Sequence, residues 1–123
     1  MRMLWSTSVG LGLILALPTG RARAQDTLTA EAQHAISEGR KVFHGRGGCF
    51  ACHGGKLQGG PIAPALTGPK WLHVDGSLNE ILNRIRGGMP GTVMIANPGG
   101  IGDDESFYVA NYIWAVSQGK AKP

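Results

Sequence analysis

Cys49-Phe50-Ala51-Cys52-His53 holds the only two cysteines in the 123-residue chain, and a histidine follows the second directly. Thiols three positions apart fall on one helical turn. From there each can add to a vinyl group of the same porphyrin and form a thioether. The neighbouring histidine is then held beneath the ring, where its imidazole can ligate the iron. C-x-x-C-H is the attachment signature for c-type haem. Three other chemistries compete for the same residues. A thioredoxin-like pair needs a βαβ setting, which the sequence does not offer. Zinc needs further ligands at suitable spacing, and there is no second cysteine pair. A plain disulfide would close a tiny loop of little stabilising value and leave His53 unexplained. One covalent haem c, attached through Cys49 and Cys52 with His53 as iron ligand, is the expectation.

Iron in an electron-transfer haem usually takes a second protein ligand on the opposite face, and methionine there raises the potential. Met89 and Met94 both lie in one loop and are the main candidates. His34, His44 and His73 would give a bis-histidine site instead. Surface or partly buried packing is the plainer role of each, and His44 is too close in sequence to the attachment site to reach the opposite face. His73, beside Trp71 and Leu72, is the more serious rival.

Three helices should position these residues. The first is predicted from about Thr29 to His44, with Thr29 as N-cap, Glu31 in the first turn, and Ala32, Ile36, Gly39 and Phe43 on one face. Ser77 begins the second, where Ser77-Leu78-Asn79-Glu80 reads as a capping box. Leu78, Ile81, Leu82 and Ile85 form its apolar stripe and Gly87 its stop. A third starts near Asp103, where Asp103, Asp104 and Glu105 complement the helix dipole. Val109, Tyr112, Ile113 and Val116 make its buried face, and Gly119 ends it. No segment alternates apolar and polar residues long enough to predict a sheet. The intervening glycine-rich stretches are long for a compact domain, as loops wrapped round a large rigid ligand would be.

Met1-Arg2-Met3, the apolar run Leu4 to Leu17 and the small residues Ala22-Arg23-Ala24 read as a secretory signal peptide. A retained anchor needs roughly 20 apolar residues. Residues 1–24 are therefore expected to be removed, leaving 25–123 as a single periplasmic domain without stable membrane insertion. Of the 12 cations against 8 anions, Arg2, Arg21 and Arg23 lie in that leader, so the mature chain carries 9 against 8, or +1. Nucleic-acid binding has no dense basic stripe to support it. Between Gly39 and Gly88, seven cations face two anions, net +5, which points to an acidic docking patch on a redox protein partner.

The order of helix, C-x-x-C-H, Gly/Pro loop, methionine loop and final aromatic-bearing helix resembles the class I cytochrome c family over nearly all of residues 25–123. The resemblance implies an all-α fold of about three main helices with long loops around one covalent haem. It implies that Gly39 and Phe43 cross the last helix at Tyr112. Ala63-Pro64-Ala65-Leu66-Thr67-Gly68 is similar to the family's Gly-Pro-x-Leu-x-Gly loop, with Ala63 in place of the glycine. That likeness assigns the Pro64 carbonyl to His53 and places Leu66 at the haem. Trp71 would donate to a haem propionate, with Arg84 or Arg86 nearby. Gly88-Met89-Pro90-Gly91-Thr92-Val93-Met94 resembles a common family run whose final methionine is the ligand, which favours Met94 over Met89, although Ile95 replaces the usual proline. The function implied is single-electron transfer by a His53/Met94 haem, not catalysis. An electron-accepting subunit of a periplasmic dehydrogenase and a haem enzyme or sensor with a labile sixth ligand are the alternatives.

Overall fold

A computed structural model describes residues 27–123; the expected leader, residues 1–24, lies outside the described residues. The elements in chain order are α1 (Ala30–His44), α2 (Phe50–His53), α3 (Leu78–Gly87), a 3-10 turn (Pro98–Gly100) and α4 (Asp103–Ser117). No strand occurs among the described residues, so the fold is all-α.

Helix α1 begins where Thr29 Oγ1 accepts the Ala32 N–H at 3.2 Å, which satisfies one of the free donors of its first turn. Its buried residues are Ala35, Gly39, Val42 and Phe43, whereas Ala32 is only half-buried. The inner face is thus centred on Gly39, with Ala35 four residues before it and Val42 and Phe43 three and four after. The crossing against α4 sets that centre. A Cβ at Gly39 would collide with the Tyr108 carbonyl and lie 2.8 Å from Tyr112 Cβ. Phe43 and Tyr112, both fully buried, meet edge to face with ring centroids 5.5 Å apart and an interplanar angle of 66°. Such a pair adds about 1 kcal/mol beyond its area burial.

Helix α4 presents Val109, Tyr112, Ile113 and Val116 inward, together with Ser106, Ala110 and Ala115. At its start the Gly102 N–H donates to Glu105 Oε2 at 2.8 Å. The same carboxylate takes a forked bond from Arg46 Nη1 at 3.0 and 3.1 Å, while Arg46 Nη2 donates to the Gly100 carbonyl at 3.0 Å. Arg46 thereby ties the segment entering Cys49-His53 to the N-terminus of α4.

Helix α3 buries Ile81 and Ile85, with Leu78 and Leu82 packed on the same core. Ser77 Oγ accepts the Glu80 N–H at 3.3 Å. The reciprocal half of the expected capping box is supplied differently, because the Ser77 N–H donates to Asp75 Oδ1 at 2.8 Å. Hydrogen bonds from Ser77 hold the Asp75 carboxyl below its ordinary range.

Ion pairs alter the charge distribution read from the sequence. Lys41 pairs with Glu38, Arg46 with Glu105, and Arg86 with Asp103 at 2.8 Å. All three carboxylates lie outside the 39–88 segment, so counting them reduces its net +5 to +2.

Candidate functional site

The Cys49-His53 segment is one turn of helix, closed by the His53 N–H to the Cys49 carbonyl at 2.9 Å. This turn puts both thiols and the imidazole on a single cavity of about 500 Å³. That size is ordinary for a cofactor site. Both cysteines are free and half-buried. Burial pushes the Cys49 thiol up to about 11, so at neutral pH it is protonated and no thiolate of the thioredoxin kind is poised there.

His53 Nδ1 lies 2.8 Å from the Pro64 carbonyl oxygen. A carbonyl only accepts, so Nδ1 carries a proton, which leaves Nε2 as the nitrogen that can offer a lone pair to a metal. The loop between the two residues is built to bring Pro64 there. The Gly59 N–H donates to the His53 carbonyl at 2.7 Å, Leu66 N–H to the Leu57 carbonyl at 2.8 Å, and Gly60 N–H to the Ala63 carbonyl at 2.9 Å. Gly59 holds φ at +77°, and a Cβ there would press on the Pro64–Ala65 peptide, 2.7 Å from the Pro64 carbonyl carbon. Leu57 is fully buried at φ +58°, a left-handed conformation uncommon for a bulky residue. No sequence signal marks it as core.

Pro64, Leu66, Trp71 and Met94 line the same cavity as Cys49, Cys52 and His53, so the structure brings all seven candidates together. Met89 and His73 line it too, which leaves both rivals of Met94 within the site. His34 and His44 do not; His34 lies edge-on to Tyr108, and His44 Nε2 is 3.3 Å from the Tyr112 hydroxyl.

Arg84 separates from Arg86 by its surroundings. Arg86 Nε reaches Asp103, whereas Arg84 lines the cavity with its Nε buried and without a hydrogen-bond partner. Among the described residues Arg84 is the one Lys, Arg, Asp or Glu on the cavity wall; the rest is largely apolar. A buried donor of a cation with no acceptor is costly, and an anionic group entering the cavity would relieve it. The Trp71 indole lies against the backbone of Gly76 and makes no hydrogen bond among the described residues. The sequence offered a sign for Arg84, which sits between the inward positions Ile81 and Ile85 of the α3 stripe.

Among known proteins, the family profile described as cytochrome c matches residues 36–117. The chain belongs to the cytochrome c family. Haem c, covalently bound, is the cofactor of this electron-carrying family, and the cavity fits it. Two free thiols and a histidine with a lone-pair nitrogen share one wall, and an unpartnered guanidinium suits a carboxylate-bearing ring. Solved structures agree on the fold. A chain of the reducing HAO-like protein complex of Kuenenia stuttgartiensis superposes with a TM-score of 0.57 at 24% identity, over 68% of this chain and 44% of that one. Cytochrome cL from the marine methylotroph Methylophaga aminisulfidivorans gives 0.57 at 22% identity, over 66% and 54%. Cytochrome cL from Hyphomicrobium denitrificans gives 0.55 at 21%, over 68% and 48%. The chain spans about half the length of these solved chains. No curated protein matches it significantly.

Proposed function

We propose that the protein is an exported, periplasmic one-electron carrier whose haem c iron takes His53 and Met94 as axial ligands. The observation that carries this reading is the convergence of Cys49, Cys52, the Pro64-bonded His53 and Met94 on one largely apolar cavity. Bound haem c supplies an iron that changes oxidation state by one electron.

The chain's own part is to fix and insulate that group. Cys49 and Cys52 would hold the ring by thioethers, and the Pro64 carbonyl keeps His53 in one tautomer and orientation. Leu66, Ile81, Ile85, Val109 and Ile113 supply an apolar wall that keeps water away. Trp71 and Arg84 would take the propionates, the only acidic groups the ring brings. Were His53 and Met94 both to hold the iron, no position would be left for a substrate, and the protein would serve as a carrier rather than an enzyme. Among the described residues no helix is long and apolar enough to cross a membrane. Its partners would be redox proteins that meet the haem edge.

A spectroelectrochemical titration of the holoprotein tests the reading. A single reversible wave with one electron per haem is expected, together with slow carbon monoxide binding to the reduced form. Immediate carbon monoxide binding would instead assign an open or labile sixth position and favour the sensor or haem-enzyme alternative.

A further inference from the structure

We propose that His34, Phe107 and Tyr108 form a docking surface for a partner protein that presents arginine side chains, on the side of α4 away from the haem cavity. The surface involves neither axial ligand, so it stands or falls apart from the His53/Met94 reading. Its three rings make one row across two helices. Phe107 and Tyr108 on α4 lie with centroids 6.1 Å apart, and His34 on α1 meets Tyr108 edge-on at 5.9 Å. Phe107 keeps 42% of its surface exposed, and His34 is exposed as well. The ring contact that joins the two helices in the core is a different one, between Phe43 and Tyr112. Val109 and Ile113 line the cavity, whereas none of the three rings does. Phe107 stands about 200° round the helix from Val109. A partner seated on this row therefore leaves the cavity mouth open.

Carboxylates border the row. Asp104 lies three residues before Phe107 and four before Tyr108, on the same face of α4, and Glu31 lies three residues before His34 on α1. Among the described residues neither enters an ion pair, whereas Glu38, Asp103 and Glu105 do. A guanidinium matches both features, since its plane stacks on an aromatic face and its fork takes a carboxylate. The chain uses related chemistry further along the same face of α4. Seven residues after Phe107, the Trp114 ring is covered by Lys120, with Nζ 5.2 Å from the centroid. Among the described residues no lysine or arginine covers Phe107 or Tyr108 in that way. Aromatic rings and arginine are also the residues that the centres of protein interfaces favour.

The test is a titration of the reduced holoprotein, followed by amide NMR at low ionic strength, with a blocked pentapeptide carrying two arginines spaced by glycine. Saturable shifts are expected at Glu31, His34, Asp104, Phe107 and Tyr108. Phe107→Ala, an exposed change that should leave the rest of the spectrum in place, is expected to weaken binding about threefold, the scale of one exposed cation–π contact. Asp104→Asn should weaken it too, and the matching lysine peptide should bind less tightly than the arginine one. Shifts that gather at the cavity mouth, or an affinity that Phe107→Ala leaves unchanged, would overturn the proposal. Equal binding of the two peptides would overturn the choice of arginine. Sedimentation of the peptide-free holoprotein covers the other occupant: a dimer that Phe107→Ala dissolves would assign the face to a second copy of this chain and contradict the proposal.

Discussion

Gly39→Ala is expected to lower the thermal unfolding midpoint by on the order of 10 °C, read by circular dichroism on the holoprotein. Two opposed effects decide the sign. Alanine is the better helix former, and inside α1 it should gain about 1 kcal/mol over glycine from propensity alone. Against that, the added methyl would run into the Tyr108 carbonyl oxygen and lie 2.8 Å from Tyr112 Cβ. The first obstacle is helix backbone, which cannot swing aside as a side chain can. Relief requires α1 and α4 to move apart, and that loosens the Phe43–Tyr112 contact on which both rings depend. Overpacking of a rigid site costs about 3 kcal/mol, which outweighs propensity. For a domain of this size each 1 kcal/mol moves the midpoint by roughly 4–8 °C. An unchanged or raised midpoint would mean that the helices do not cross at Gly39.

His53→Ala should produce the largest change at the site. Haem is expected to remain attached through Cys49 and Cys52, as shown by haem staining after denaturing electrophoresis. The low-spin optical spectrum should be lost completely. The reason is local: among the described residues no other side chain is bonded to the Pro64 carbonyl as His53 is, at 2.8 Å. Ligand binding that orders a fold also contributes to its stability, so the variant should unfold more readily than wild type. Added imidazole, which can enter the space left by the ring, should restore a low-spin spectrum. Retention of the wild-type spectrum by His53→Ala would show that another residue ligates the iron.

Much of this arrangement is written locally in the chain. Cys49, Cys52 and His53 need only one helical turn to share a cavity wall, and the C-x-x-C-H spacing encodes that turn. The buried face of α4 follows from the period of Val109, Tyr112, Ile113 and Val116, and its start from three consecutive acids. Features that depend on a distant partner were harder to read. Ala35 and Val42 lie inward because α4 crosses at Gly39, which rotates the buried face of α1 away from Ala32. Arg46 and Glu105 are 59 positions apart, and nothing near either residue announces their pairing. Leu57 is buried only because a left-handed residue turns the loop after His53. Sequence alone leaves Arg84 and Arg86 open. The place of Arg84 beside Ile81 and Ile85 on α3 is a local sign that favours it, whereas the Asp103 partner of Arg86 has none. The uncompensated charge around the site shrank for the same reason, since its neutralising carboxylates come from remote sequence.

The axial pair is the centre of the account, and both methionines share the cavity with His53. The most direct test is the optical spectrum of purified holoprotein, oxidised and reduced, for wild type, Met94→Ala and Met89→Ala. The account predicts a low-spin c-type spectrum with a methionine–iron charge-transfer band that Met94→Ala abolishes and Met89→Ala leaves intact. A band that survives Met94→Ala, or no such band in the wild-type protein, would contradict it.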